Sequence, residues 1–226
     1  MATSGTTSFD LSFDRIIERA YARCGKSLRT GYELTAARDN LNLLFSEWGN
    51  RGIHLWKVKN QTTNLVANTT TYTAPSDASD VLELVFRNVS GNTTTDTSMT
   101  KISRSEYENL PNKFSTGQPS QYYVRRNLAN VEINLYQTPD TTDTQINYFY
   151  VARIEDVGGY TNTPDAPYRF LPCTVAGLAY YLAQEVAPER SQELERRYEA
   201  ELQRALTEDS QSTSVHIVPR DFYVGG

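Results

Sequence analysis

Residues able to do acid–base or metal chemistry are few and widely spaced in this sequence. Its two histidines, His54 and His216, have no Cys, Asp or Glu at the i+3 or i+4 spacing that groups metal ligands on a helix. Two carboxylates such as Glu106 and Asp156 could act together in glycoside hydrolysis, because such pairs form in space rather than in sequence. The glycine-rich phosphate loops and the G-x-S-x-G motif are absent from the sequence. No catalytic residue, metal or cofactor is therefore assigned.

A second set of candidates interleaves aromatic and basic side chains. Tyr122, Tyr123, Arg125 and Arg126 lie on one predicted strand, as in proteins that stack the bases of single-stranded nucleic acid. Successive strand residues face opposite sides of a sheet, so only one Tyr and one Arg share a face. The net charge of -5 also disfavours phosphate binding. Aromatic residues and Arg are enriched in protein–protein contacts, and Tyr122 and Arg125 are therefore interpreted as candidates for subunit contact.

The composition is typical of a soluble globular protein. Hydrophobic residues make up 38% and charged residues 22% of the 226 positions, enough for one large domain or two small ones. Neither a signal peptide nor a membrane helix of roughly 20 apolar residues is expected. Cys24 and Cys173 fall on the apolar faces of predicted helices, which indicates buried thiols rather than a disulfide framework.

Two amphipathic helices are predicted near the start of the chain, because apolar residues recur at helical spacing. The first covers residues 12–24, with Ser12 as its N-cap and Gly25 as its terminator. The second covers residues 34–48 and ends at Gly49. Their apolar faces are expected to pack on each other or on a third helix.

The C-terminal part of the chain changes character at Pro188. An apolar helix begins at Pro167 or Pro172, and its small residues, including Gly177, permit close approach of another helix. A helix from 188 to 209 follows, with a narrow apolar stripe among alternating Glu and Arg residues. Much of it is expected to face solvent or a neighbouring subunit. The candidates for subunit contact on this helix are Arg197, Tyr198 and Glu201.

Between the helices, the sequence is rich in Thr, Asn, Tyr and Val, which favours short strands separated by turns. The segments predicted as strands are 54–62, 69–75, 80–88, 121–127, 130–138 and 143–154. Residues 90–96 are predicted as a turn. Residues 103–111 are predicted to contain one or two helical turns, with Ser103 and Glu106 forming a capping box.

The predicted fold is α+β, with a helical bundle built from both ends of the chain and an inserted antiparallel β domain of sandwich or barrel type. The helical domain is discontinuous and covers residues 1–53 and 165–210, and the β-rich domain covers 54–164. Residues 211–226 are predicted to be an extended apolar tail. Such a tail could add a strand to its own sheet or dock on another chain.

The order of these segments resembles that of the head-to-tail adaptor proteins of tailed bacteriophages, the group that includes tail tubular protein A and the tail accessory factor of short-tailed phages. The resemblance covers residues 10–220. It is carried by Cys24-Gly25 after the first helix, then by LFSEWGNRGIHLW, ISRSEYENLPNKFSTGQPSQYYVRR, PDAPYRFLPCTVAGLAYYLAQEVAPER and ALTEDSQSTSVHIVP.

The resemblance implies a structural protein of the virion, assembled in the host cytoplasm and located at the head–tail junction. It implies a homo-oligomeric ring, typically of twelve copies, that binds the portal protein on one side and a tail or nozzle protein on the other. DNA would pass through the ring without sequence-specific binding, and neither a membrane nor a cofactor is implied. Portal docking would fall to the C-terminal tail. Its implied anchors are Val215, Ile217, Pro219, Phe222 and Tyr223.

Two other functions remain open at this point. The protein could be a virion-associated cell-wall hydrolase that uses carboxylates, or a small nucleic-acid-binding module. The sequence favours the structural adaptor, and the protein is therefore not expected to be an enzyme.

Overall fold

The computed structural model describes residues 5, 7, 9–53, 55–91, 93–113, 115–142 and 144–209. The helices within these ranges are α1 (Phe13–Arg23), α2 (Gly31–Asn50), α3 (Arg104–Asn109), α4 (Leu171–Val186) and α5 (Ser191–Asp209). The strands are β1 (Val58–Asn64), β2 (Thr71–Thr73), β3 (Ala78–Ser90), β4 (Thr93–Ser98), β5 (Thr100–Lys101), β6 (Gln121–Arg126), β7 (Val131–Tyr136) and β8 (Thr144–Ala152). The predicted α+β class is confirmed.

The ends of α1 and α2 follow from local capping chemistry. Helix α1 ends before Gly25, whose φ of +74° is strained for any residue with a Cβ. Helix α2 begins at Gly31, earlier than predicted, because Thr30 and Glu33 form a capping box. In this box, the Glu33 N–H donates to the Thr30 hydroxyl over 3.3 Å, and the Thr30 N–H donates to the Glu33 carboxylate over 2.9 Å. At α1, Ser12 occupies the predicted N-cap position but makes no side-chain cap.

The break between α4 and α5 lies at Pro188, as the sequence predicts. A single 3-10 turn, Pro188–Arg190, separates the two helices. Proline is tolerated at the start of a helical turn because its missing N–H would have no partner there. The chain reverses direction across this turn, and α5 packs along α4.

One apolar core joins α1, α2, α4 and α5. The largest buried side chains of this helical core are Phe13, Ile16, Ile17, Tyr21, Leu41, Leu44, Trp48, Phe170 and Tyr198. The predicted close approach at Gly177 is confirmed, because a Cβ built there would lie 2.7 Å from Leu44 Cδ1 and 2.9 Å from Tyr198 Cε2. Gly177 thus lets α2 and α5 contact the backbone of α4.

The strands form two four-stranded sheets with the orders β1-β8-β3-β4 and β2-β7-β6-β5. Every strand pair is antiparallel except β5 with β6, which is parallel. Side chains from both sheets share a second core that includes Leu84, Ile133, Leu135, Ile146 and Tyr148. The predicted division into domains stays a prediction.

Two local predictions about the β region are wrong. The sequence predicts a turn at residues 90–96 and no strand directly after it. Residues 93–98 instead form β4 and pair with the end of β3. Threonine is β-branched and fits a pleated strand well, so a Thr-rich segment pairs once a turn at Gly91 brings it alongside β3. Residues 55–57, predicted as strand, form a 3-10 turn before β1. Helix α3 and its Ser103–Glu106 capping box are confirmed.

The two cores are joined by a compact ionic contact. The Lys57 ammonium, whose residue is only 4% exposed, pairs with the Asp165 carboxylate. The same carboxylate accepts the Glu155 N–H over 3.2 Å, and the Asp165 carbonyl accepts the Trp56 indole N–H over 3.1 Å. The segment that joins α2 to β1 and the segment that joins β8 to α4 are therefore held together at one place. In the part of the chain that the structure describes, no helix is long and apolar enough to cross a membrane.

Candidate functional site

The outer surface of α5 is held in place by a network around Arg51. The Arg51 guanidinium donates to both Glu199 oxygens, over 2.9 and 2.6 Å, and also pairs with Glu47. Its central carbon lies 5.7 Å from the centre of the Tyr198 ring. Bidentate contact between Arg and a carboxylate fixes orientation as well as distance. The end of α2 is thereby bound to the middle of α5.

Tyr198, predicted to contact another subunit, lies inside the chain's own core. It is 1% exposed, and its hydroxyl accepts the Trp48 indole N–H over 3.0 Å and contacts the Glu47 carboxylate at 3.3 Å. Burial raises the pKa of the Tyr198 hydroxyl. Tyrosine fits either a core or an interface, and here packing within the chain places the side chain in the core.

The other two candidates on α5 face solvent. The Arg197 side chain is 62% exposed and pairs with Glu193 over 2.5 Å, while the Glu201 side chain is 33% exposed and pairs with Arg204 over 2.8 Å. These four residues recur at helical spacing and form a charged stripe on the outer side of α5. Their role in subunit contact stays a prediction.

The two candidates on β6 lie in different environments. Tyr122 is 2% exposed, and its hydroxyl donates to the Leu82 carbonyl over 3.1 Å, so the ring packs within the β core. The Arg125 side chain is 63% exposed and lies 4.0 Å from a Glu132 oxygen on β7. Arg125 is therefore accessible to a partner, whereas Tyr122 is not.

The end of α5 is anchored where the predicted docking tail begins. The Asp209 side chain, only 5% exposed, pairs with the Arg169 guanidinium from the turn before α4. Such a pair places the last described residue at a defined point of the helical core. The predicted portal anchors themselves, Val215 to Tyr223, lie outside the described residues.

A cleft of about 610 Å³ lies between the helices and the sheets. Its helical wall comes from the last turns of α2, including Phe45, and from Ile53 just after the helix. Its sheet wall includes Leu82 and Val151. The volume is in the range of sites that bind small molecules or a few side chains. Its walls come from both the helical and the β parts of the described chain, and it is therefore taken as a candidate binding site.

The charged residues at the rim of the cleft all come from the sheet side, from β3, β6 and the segment after β8. Arg126 pairs with Asp80 at 3.4 Å, and Arg153 donates to the Ser76 carbonyl. The exposed carboxylates of Glu155 and Asp156 have no ion-pair partner among the described residues. The cleft therefore offers an apolar floor with two available negative charges at its edge.

Glu106 and Asp156, the two carboxylates considered for glycoside hydrolysis, lie on different parts of the fold. Glu106 is a helix cap, and the backbone N–H of Ser103, which donates to its carboxylate over 2.6 Å, lowers the pKa of Glu106. A general acid at neutral pH requires the opposite shift. Asp156 lies at the edge of the cleft. No cluster of three or more His, Cys, Asp or Glu that could hold a metal occurs among the described residues.

Sequence reasoning missed the cleft and the Arg169–Asp209 pair. The cleft residues come from four separate stretches, and the two residues of the pair are 40 positions apart. The one local signal was Leu82, a large apolar residue that is exposed on β3 next to the charged Glu83. Such a signal marks an exposed apolar residue without telling which element faces it.

One protein family matches most of the chain. The protein family described as SU10 adaptor protein matches residues 12–219, which include all five helices and all eight strands given above. No curated protein matches the sequence. Because the family match covers most of the chain, the protein belongs to the SU10 adaptor family, a family of phage head-to-tail adaptors.

Proposed function

We propose that the protein is a structural component of the virion that forms a ring beneath the portal, joins the capsid vertex to the tail and leaves a passage for DNA. The observation that carries this proposal is the family match over residues 12–219. The helices around the first core would form the ring body, as a bundle, and the two sheets would stack as a sandwich that projects from it. Twelve copies are proposed by resemblance to other adaptors.

The C-terminal segment is proposed to bind the portal. In support, α5 is held by Arg51 and Arg169, so its end is a rigid support for whatever follows Asp209. The charged stripe with Arg197 and Glu201 is proposed to contact the next subunit, together with Arg125. Alternating Glu and Arg on one face suits a repeated contact between identical copies, since each charge can meet its opposite on the neighbour.

The experiment is a binding assay with purified portal, followed by native mass measurement of the complex. The full chain is expected to bind and to give one defined stoichiometry, whereas deletion of residues 211–226 is expected to abolish binding with an unchanged circular dichroism spectrum. Replacing Phe222 and Tyr223 with alanine should weaken binding, and replacing Ser212 and Ser214 with alanine is the matched control. Binding that survives the deletion would contradict the docking role, and unfolding would show that the tail belongs to the core.

We also propose that the protein has no catalytic activity. The support is indirect: Glu106 is engaged as a helix cap, and its pKa is shifted away from that of a general acid. Incubation of the purified protein with peptidoglycan tests the alternative of a cell-wall hydrolase. Release of soluble fragments that is lost in Glu106→Gln would refute the proposal.

A further inference from the structure

The cleft between the helices and the sheets has the chemistry of a peptide-binding site. Its floor is apolar, because Phe45, Ile53 and Val151 are 5%, 4% and 7% exposed and line it from both sides. Leu82 is 38% exposed and forms part of the sheet wall. An exposed leucine beside buried apolar side chains loses contact with water when an apolar side chain enters, and this stabilises the bound state.

The charges at the edge of the cleft select the kind of segment that fits. Three carboxylates and two guanidinium groups line it, and Arg126 and Arg153 are both engaged, with Asp80 and with the Ser76 carbonyl. The carboxylates of Glu155 and Asp156 therefore remain available within the described part of the chain. The best complement is an extended segment with large apolar side chains and one basic residue.

The C-terminal segment of the same chain has this chemistry. It contains a single arginine, Arg220, close to the aromatic pair Phe222 and Tyr223 and preceded by Val215 and Ile217. Asp221 follows Arg220, and neighbouring side chains of an extended segment point to opposite sides, so Arg220 can face the acidic edge without Asp221. Two or three such side chains are on the scale of a cleft of about 610 Å³. The polar residues between Asp209 and Val215 are suited to act as a spacer.

The point where the described chain ends is connected to the cleft by successive contacts. Asp209 pairs with Arg169, and the next residue, Phe170, packs against Trp56 with ring centres 4.6 Å apart. Trp56 donates to Asp165, which accepts the backbone N–H of Glu155 at the cleft edge. The 13 residues from Asp209 to position 222 span at most about 45 Å when extended, so the same chain can reach the cleft.

We propose that, in the free subunit, the cleft between α2 and the sheet β1-β8-β3-β4 binds residues 215–223 of the same chain, and that the portal must displace them. The apolar side chains of the segment occupy the floor, and Arg220 pairs with Glu155 or Asp156. Binding of the segment to the cleft is argued from the cleft and the sequence of the segment, whereas displacement by the portal rests on the proposed adaptor function. Self-binding raises the apparent Kd for the portal, which equals the intrinsic Kd divided by the fraction of subunits whose tail is free.

The test is photo-cross-linking of the full chain with p-benzoyl-phenylalanine at position 222. Copies labelled with ¹⁴N and ¹⁵N are mixed, so that cross-links within one chain differ in mass from those between chains. We expect cross-links to residues 79–82 or 151–156 of the same chain. The same cross-linker at position 32, on the exposed end of α2, should give none of these products.

Two further variants separate cleft binding from accidental proximity. Leu82→Asp should lower the yield of the cleft cross-link at least fivefold, whereas Leu128→Asp, at an exposed turn outside the cleft, should leave it unchanged. If Leu82→Asp does not fold, a pair of charge-reversal variants tests the same contact. Arg220→Glu should lower the yield, and Glu155→Arg with Asp156→Arg should restore it in the same chain.

The outcomes distinguish this inference from the adaptor function. Cross-links spread over the surface, cross-links only between chains, or a yield insensitive to both sets of variants would overturn the cleft as the binding site. If the cleft cross-link is confirmed but the portal does not bind, the adaptor role fails and the self-binding stands. If both hold, Leu82→Asp should bind the portal more tightly than the unmodified chain: tenfold if the tail occupies the cleft nine-tenths of the time.

Discussion

Replacing Gly177 with alanine tests how closely α4 is packed against its neighbours. The added Cβ would lie 2.7 and 3.0 Å from the two terminal methyl carbons of Leu44, and 2.9 Å from a ring carbon of Tyr198. Carbon atoms in favourable contact are about 3.5–4.0 Å apart. Both neighbours are fully buried, and Tyr198 is also held by its hydrogen bond to Trp48, so neither can move away freely.

The net effect is the difference between two opposing contributions. Overpacking a core typically costs about 1–3 kcal/mol, and contacts nearly 1 Å too short on two sides place this site in the upper half of that range. Alanine is favoured over glycine in a helix interior by about 1 kcal/mol. We therefore expect Gly177→Ala to lower the free energy of unfolding by about 1–2 kcal/mol.

Urea unfolding followed by tryptophan fluorescence measures this change at the right place. The chain has two tryptophans, and both report on the helical core, since Trp48 belongs to it and Trp56 packs against it. Gly49→Ala is the matched control, because a Cβ at Gly49 in α2 has no atom within 4 Å. Gly49→Ala should leave the unfolding midpoint unchanged or raise it. A Gly177→Ala protein as stable as the unmodified chain would refute the packing argument.

Three further measurements test the site. Tyr198→Phe leaves the buried indole N–H without its partner and should cost about 1–3 kcal/mol in the same urea assay, whereas retained stability would contradict the assigned hydrogen bond. Burial raises the pKa of both the Cys24 and Cys173 thiols, so a thiol reagent at pH 8 should modify neither in the folded protein and both in urea; rapid modification of the folded protein would show the core to be open. Hydrogen bonds from Arg51 lower the pKa of Glu199, so this pair stabilises the fold above the ordinary carboxyl pKa near 4.5 and less as the pH falls below it. Glu199→Gln should therefore unfold at lower urea than the unmodified chain at pH 6, by less than about 1 kcal/mol because both groups are partly exposed, and the difference should shrink at pH 3; a constant difference would argue against the ion pair.

The sequence was sufficient to locate elements whose signals are local. Apolar spacing located α1, and the break at Pro188 correctly separated α4 from α5. The capping box at Ser103 and Glu106 was also readable, because both partners lie within one helical turn. The Thr-rich strand β4 was missed because its stability comes from pairing with β3, a contact that no window of nearby residues contains.

The candidate site was less readable for the same reason. The side chain of Tyr198 follows the apolar stripe of α5, yet its assignment to a core or an interface depends on Trp48, 150 residues away. The Arg51–Glu199 pair and the cleft between Phe45 and Leu82 likewise join residues that are distant in the chain. Exposed charges such as Arg197 and Arg125 were easier to place, because a charge without a buried partner stays in water.

By itself, the sequence determined the α+β class, the number and order of most elements, the buried thiols and the family resemblance. These depend on periodicity, capping and composition, which act over a few residues. Only the tertiary structure decided which side chains the apolar stripe of α5 packs against, how little space is left at Gly177, and that the ends of α2 and β8 leave an apolar cleft with acidic edges. Burial and close contact are properties of two or more segments brought together, so they are set by packing and not by any one stretch of residues.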